Sequence, residues 1–194
     1  YVVNTQANTQ DVRNILAFTD IGEHPDYLSG DLPVAELTDD PGIGINPNRA
    51  PSNFNNDLFL DMTGNPDVMG FSGAGAAIGA FTGPDGNPIY APGIHYERVG
   101  NARRLAQTEF TYNDRLGFIS LRQSLNNAEV LAVAYEYTLE GETYQVGTLS
   151  QDGYAAPGAL VLKMLKSSVT RVELENGDPA PLWDLMMKNV YSLQ

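Results

Sequence analysis

Residues 130–146 constrain the fold more than any other part of the chain. Between Val130 and Leu139, the residues Leu131, Val133, Tyr135, Tyr137 and Leu139 alternate with smaller or polar neighbours, the period-two pattern of a strand with one side turned to a core. Glu140-Gly141 follows, a dipeptide suited to a two-residue hairpin loop. Such a loop pairs Leu139 with Glu142 and sets the register: opposed residue numbers add to 281, so Tyr137 faces Tyr144 and Tyr135 faces Val146. Apolar then meets apolar on one face, and a slip of one residue breaks the match. The tyrosine-bearing side is expected to be hidden from water.

The flanking segments extend this β character. Phe110-Thr111-Tyr112 and Phe118-Ile119-Ser120-Leu121 enclose the turn residues Asn113-Asp114 and Gly117. After Pro157-Gly158, the stretch from Leu160 to Lys166 reads as another strand. Val169 to Glu175 alternates as well, until Asn176-Gly177-Asp178-Pro179 stops it. Nearer the start, Thr9-Gln10-Asp11 looks like an N-cap before the apolar run Ile15 to Phe18, which predicts one or two helical turns. From Asn14 to Asn48 there are seven acids and no Lys or Arg, the composition of a solvated loop region. Leu58-Phe59-Leu60-Asp61-Met62 predicts a short helix ending at Gly64, with Asn65-Pro66-Asp67 capping a second. Residues 70–93, rich in Gly, Ala and Pro, read as a loop lying on a scaffold. The expected class is mainly β (α+β): an antiparallel sheet or β-sandwich with several short helices. Residues 1–194 form one module, loop-rich with short helices over 1–102 and β-rich with a C-terminal helix over 103–194.

Charge limits what such a module can bind. The chain has 24 acids against 11 bases, a formal charge of -13, so no basic stripe is available for a nucleic-acid backbone and no nucleic acid is expected as a partner. Anionic membrane surfaces are disfavoured for the same reason. No apolar run approaches the roughly 20 residues of a membrane helix. The chain is also too acidic and too rich in Pro and Gly to be a series of lipid-facing strands, so it is not expected to insert in a membrane directly. Cysteine is absent, which removes disulfides, thiolate metal sites and a thiol nucleophile. The start at Tyr1-Val2-Val3 without Met, and an end that runs straight on from an apolar helical pattern, suggest a module cut from a longer protein.

Candidate chemical motifs are incomplete. Gly73-Ala74-Gly75-Ala76-Ala77-Ile78-Gly79 is a loose relative of the dinucleotide fingerprint, and Glu97 lies at the spacing of a ribose-binding acid. The strand before the glycines and the second βα unit are both missing, however. Gly70-Phe71-Ser72-Gly73-Ala74 departs from a nucleophile elbow at its last residue. The only His that could serve it is His95, in a Pro/Gly-rich stretch that reads as surface. His24 and His95 are the only histidines, and neither a paired-His string nor a D-x-D-x-D-G calcium loop occurs. No pair among the acids stands out. The expectation is no enzyme, no cofactor and no metal.

One element carries a binding signal. From Pro181 to Tyr191 the spacing predicts a helix with Leu182, Leu185, Met186 and Val190 along one side and Trp183, Met187 and Tyr191 along another. A helix apolar around so much of its circumference is either a core helix of this domain or one whose second stripe meets a partner. On the second reading Leu182, Trp183, Met187 and Tyr191 are the interface candidates, since Trp and Tyr favour such contacts.

Four strings, in order, resemble the SprA/Sov family of gliding-motility and cell-surface proteins. They are Asp11 to Glu23; Glu109-Phe110-Thr111-Tyr112-Asn113 through Leu116-Gly117-Phe118-Ile119-Ser120-Leu121; Glu129 to Thr138 with Tyr144-Gln145-Val146-Gly147; and Pro181 to Tyr191. The resemblance covers the first 23 residues and most of 103–194. It implies a place in the outer-membrane translocon of the type IX protein secretion system, where the full protein is a very large β-barrel. This chain would be a soluble, non-catalytic module of it at the outer membrane or cell surface. Its partners would be the remainder of the parent barrel, other translocon components or secreted cargo. The motifs carry no catalytic residue. An independent cell-surface adhesin-type binding module is the alternative.

Overall fold

The computed structural model describes residues 2–3, 12–19, 21–22, 51–54, 58–64, 66–70, 93, 95–152 and 158–169. In chain order the elements are β1 (Val2–Val3), β2 (Val12–Phe18), α1 (Leu58–Gly64), α2 (Pro66–Met69), β3 (Tyr96–Arg103), β4 (Phe110–Asn113), β5 (Phe118–Leu121), β6 (Leu131–Val133), β7 (Tyr135–Leu139), β8 (Glu142–Val146) and β9 (Ala159–Lys166). The protein is mainly β, with antiparallel and mixed sheets and short helices.

Five strands close into a small barrel in the order β1-β3-β2-β9-β6, with β1 also pairing β6 to complete the circuit. All pairs but one are antiparallel. β2 and β9 run parallel, from Asn14 opposite Ala159 to Phe18 opposite Lys163. The two-residue side-chain period separates two cores. Ile15 and Ala17 of β2, Val99 and Ala102 of β3, Ala132 of β6, and Leu160, Leu162 and Met164 of β9 cluster with Val130 and fill the barrel. The alternate residues Leu16, Phe18, Ala159 and Val161 form the second cluster, under Leu58 and Met62 of α1, Met69 of α2, Ile21, Tyr96 and Val146. β2 and β9 are therefore covered on both faces, as parallel strands commonly are. Phe18 and Tyr96, opposed in the β2–β3 ladder, stack with ring centroids 5.5 Å apart.

A bulge keeps β3 in phase with the barrel. Gly100 and Asn101 together oppose Asn14, and Asn101 takes φ 61°, a left-handed conformation that Asn tolerates. The extra residue is why Val99 and Ala102, three apart, both face inward.

The apolar run of Ile15 to Phe18 is strand and not the helical turn that the cap-like residues before it predict. A short run apolar on every residue suits a strand buried on both faces as well as it suits a helix, and here ladders on both sides decide the matter. Residues 15–18 accordingly belong to the core and not to a solvated loop. With β3 they bring two principal barrel strands from the part of the chain that reads as loop-rich. The two short helices fall where the sequence places them. Leu58 and Met62, four apart, make the buried face of α1, and Pro66 opens α2.

Both hairpins form. β7 and β8 pair in the expected register, Tyr137 opposite Tyr144, Tyr135 opposite Val146 and Leu139 opposite Glu142. The positive φ values of Glu140 (53°) and Gly141 (88°) match a tight primed turn. The alternating stretch is not one strand, however. β6 pairs with β9 through Val133, whereas β7 pairs with β8 from Tyr135, so the chain changes partners at Ala134. Gly147 marks the crossing: at φ +78°, a Cβ there would lie 3.1 Å from both the Ala134 Cβ and the Val161 carbonyl oxygen.

The tyrosine face is only half hidden. Tyr135, Tyr137 and Tyr144 are half-buried and in contact in series, tilted at 6.0 Å and stacked at 5.4 Å, whereas Leu139 stays 49% exposed. Residues 51–54 cover part of this face. The Tyr137 hydroxyl donates to the Pro51 carbonyl at 2.7 Å, and buried Asn53 exchanges two hydrogen bonds with the Gly147 backbone at 2.7 and 3.2 Å. The segment thus docks as a short pseudo-strand beside β8, where the Asn53 amide also reaches the Gln145 carbonyl.

Leu162 lies fully inside the barrel, and Leu139 lies outside both cores. Leu162→Ala should cost about 2–5 kcal/mol of unfolding free energy. Leu139→Ala should cost less than about 0.5 kcal/mol. Urea titrations of the two variants check the assignment, and equal losses would contradict it.

Candidate functional site

The interface candidates Leu182, Trp183, Met187 and Tyr191 lie outside the described residues, as do the Gly73–Gly79 string and all but the first residue of the strand expected from Val169 to Glu175. Glu97 and His95 are placed, whereas Ser72 and the glycines they would serve are outside the described residues. The Glu97 carboxylate is taken up by serines: Oε1 accepts from the Ser167 hydroxyl and from the Ser168 amide at 2.7 Å, and Oε2 accepts from the Ser168 hydroxyl at 2.9 Å. This clamp ties the chain after β9 to β3.

His95 is half-buried at the foot of β3, not on the surface as its Pro/Gly-rich surroundings suggest. Its carbonyl accepts from both the amide and the hydroxyl of Thr19, at 2.9 and 3.0 Å, and burial pushes the imidazole down to about 4. It is a neutral packing residue at physiological pH.

Two lysines of the barrel strand β9 are similarly engaged. Lys166 Nζ donates to the carbonyls of Glu129 (2.6 Å), Asn127 (3.1 Å) and Ser167 (3.2 Å), and burial lowers its pKa against the pull of Glu129 and Glu97. Buried Lys163 donates to the Thr19 carbonyl. Among the described residues no three of His, Cys, Asp and Glu gather as a metal site, and no helix is long and apolar enough to cross a membrane.

What the described surface offers instead is the β4–β5 hairpin. The two strands pair only with each other, Phe110 opposite Leu121 and Asn113 opposite Phe118. One face carries Phe110, Tyr112, Ile119 and Leu121, and Phe118 lies on the other. Tyr112 is 61% exposed, Leu116 at the tip 74%, Phe118 48% and Ile119 40%.

The hairpin is nevertheless built firmly at both ends. At the tip, the Asn113 side chain accepts from the amides of Arg115 (3.1 Å) and Leu116 (2.9 Å), and Gly117 takes φ +65°. At the base, Arg103 makes a two-pronged ion pair with Glu109 (2.6 and 2.9 Å), which also accepts from the Ala106 amide at 2.8 Å. These bonds, that of Arg103 foremost, hold the Glu109 carboxyl below the usual range, and the Glu109 bond raises Arg103. The sequence shows the hairpin, but it gives no sign that its apolar residues stand in water, because alternation reports a strand and not what covers it.

No protein-family model matches the chain, and no curated protein matches it significantly in sequence.

His95 supplies a pH test of the core. The unfolded imidazole titrates near about 6.5, and the folded one is lowered to about 4. The unfolded chain takes up the proton first as pH falls, so the stability present above the unfolded value is lost between the two. The stability difference between the parent protein and His95→Gln should therefore shift against the parent as pH drops through this window. A difference independent of pH there would show an imidazole open to water.

Proposed function

We propose that this chain is a non-catalytic module of an outer-membrane translocon for protein secretion and gliding motility, working through packing and partner contact. The support is the run of strings that resemble the SprA/Sov family. Three of them coincide with parts of the fold that have distinct duties. Asp11 to Glu23 contains β2, the strand at the centre of both cores. Glu129 to Thr138 with Tyr144 to Gly147 contains β6, most of β7, the end of β8 and the glycine that crosses Ala134. Glu109 to Leu121 is the projecting β4–β5 hairpin.

That last coincidence is the observation that carries the reading. Exposed Tyr112, Leu116, Phe118 and Ile119 contribute little to this domain's own cores, yet they lie inside a family-like string, as residues that serve a contact would. The alternative, an adhesin-type module, draws on the same exposed aromatic rings, which could stack on sugars.

A photoreactive side chain placed at Leu116 of the full-length protein in its native envelope separates the two. The translocon reading expects crosslinks to the parent barrel, to another secretion component or to exported cargo. Crosslinks confined to surface glycans, or none in actively secreting cells, would count against it.

A further inference from the structure

The β4–β5 hairpin is short of a partner on two counts. A two-stranded ribbon is marginal in water and ordinarily gains a third strand or a packing face. Here neither strand has another ladder partner among the described residues, and apolar side chains of both faces are exposed. The backbone pairing tells which groups are open. The Arg122 amide donates to the Glu109 carbonyl at 2.9 Å, so by antiparallel alternation 111 with 120 and 113 with 118 are the bonded pairs. Ile119 and Leu121 then direct their N–H and C=O outward along the free edge of β5.

Charge says what would fit that edge. Residues 103–122 hold four arginines, Arg103, Arg104, Arg115 and Arg122, against two acids, Glu109 and Asp114, a local balance of +2 in a chain of -13. Arg103 is spent on Glu109. Arg104, Arg115 and Arg122 are exposed, with no ion-pair partner among the described residues. Arg115 and Arg122 stand at the two ends of β5 in sequence.

We infer that the free edge of β5 receives an extended acidic segment of a partner polypeptide as a third strand. Main-chain hydrogen bonds form along Ile119 and Leu121, apolar side chains of the segment pack beside Ile119 and Leu121, and its carboxylates meet Arg115 and Arg122. A second copy of this chain, itself acidic, is the competing occupant, and self-association distinguishes it. This inference rests on the contact-module reading and names the chemistry of the contact.

The test uses the whole chain and a labelled synthetic peptide alternating Glu with Val and Ile, followed by fluorescence anisotropy. Saturable binding is expected, weakened by salt. Arg115→Glu or Ile119→Thr should reduce affinity by about tenfold or more with an unchanged melting temperature. Methylating alternate peptide amides should abolish binding, whereas a docked but unpaired peptide would tolerate it. Absence of binding, equal binding of a Lys/Val/Ile peptide, or indifference to both variants would overturn the inference. So would self-association of the chain that Arg115→Glu abolishes, since the occupant would then be a second copy. Failure here together with Leu116 crosslinks to secretion components would remove strand addition alone and leave the module reading standing.

Discussion

The parallel ladder between β2 and β9 is the contact on which the rest of the molecule depends. It joins residues near 16 to residues near 161, and everything described between them is suspended from that pairing. One face of the two strands completes the barrel interior with β3 and β6, and the other carries the helix pair, Tyr96 and the end of the β7–β8 hairpin. Each strand therefore contributes to two cores. Closing so long a loop is entropically costly and is repaid only when both layers are in place, so the barrel and its outer layer should form cooperatively.

Polar groups within this frame are used to join segments. Asn53 replaces a strand partner for Gly147, Glu97 gathers two serines, and Lys163 and Lys166 satisfy carbonyls at turns. Each would be costly to bury unpaired, and each fixes one chain crossing where hydrophobic contact alone would allow sliding. The β4–β5 hairpin has the reverse design: its polar bonds secure only its own tip and base, while its apolar side chains face outward. On the proposal that the chain is a contact module, this hairpin is where a partner would meet it.

Local patterns were legible in the sequence, and long-range ones were not. The β7–β8 register follows from Glu140-Gly141 and the alternation on either side, because turn and pairing are neighbours in the chain. The β4–β5 turn was readable for the same reason, and α1 and β9 from their own apolar residues and the Gly and Pro that flank them. β2 was not, since Ile15 to Phe18 has no alternation to show and its partners are distant. The better signal is its likeness to the Ala159–Leu162 run, unbroken and apolar, as in a strand covered on both sides. β3 is concealed by its own bulge: with Gly100 and Asn101 inserted, inward Val99 and Ala102 lose the two-residue spacing. The open side of β4–β5 depends on what fails to pack there, which no local pattern encodes.

Native-state hydrogen exchange tests the primacy of the β2–β9 ladder most directly. The amides of Leu16 to Phe18 and Leu160 to Leu162 should be the slowest in the protein, exchanging only through global unfolding, while those of Ile119 and Leu121 exchange fast. Fast exchange in β2 with protection concentrated in the β7–β8 hairpin would mean that the hairpin, and not the parallel pair, holds the fold together.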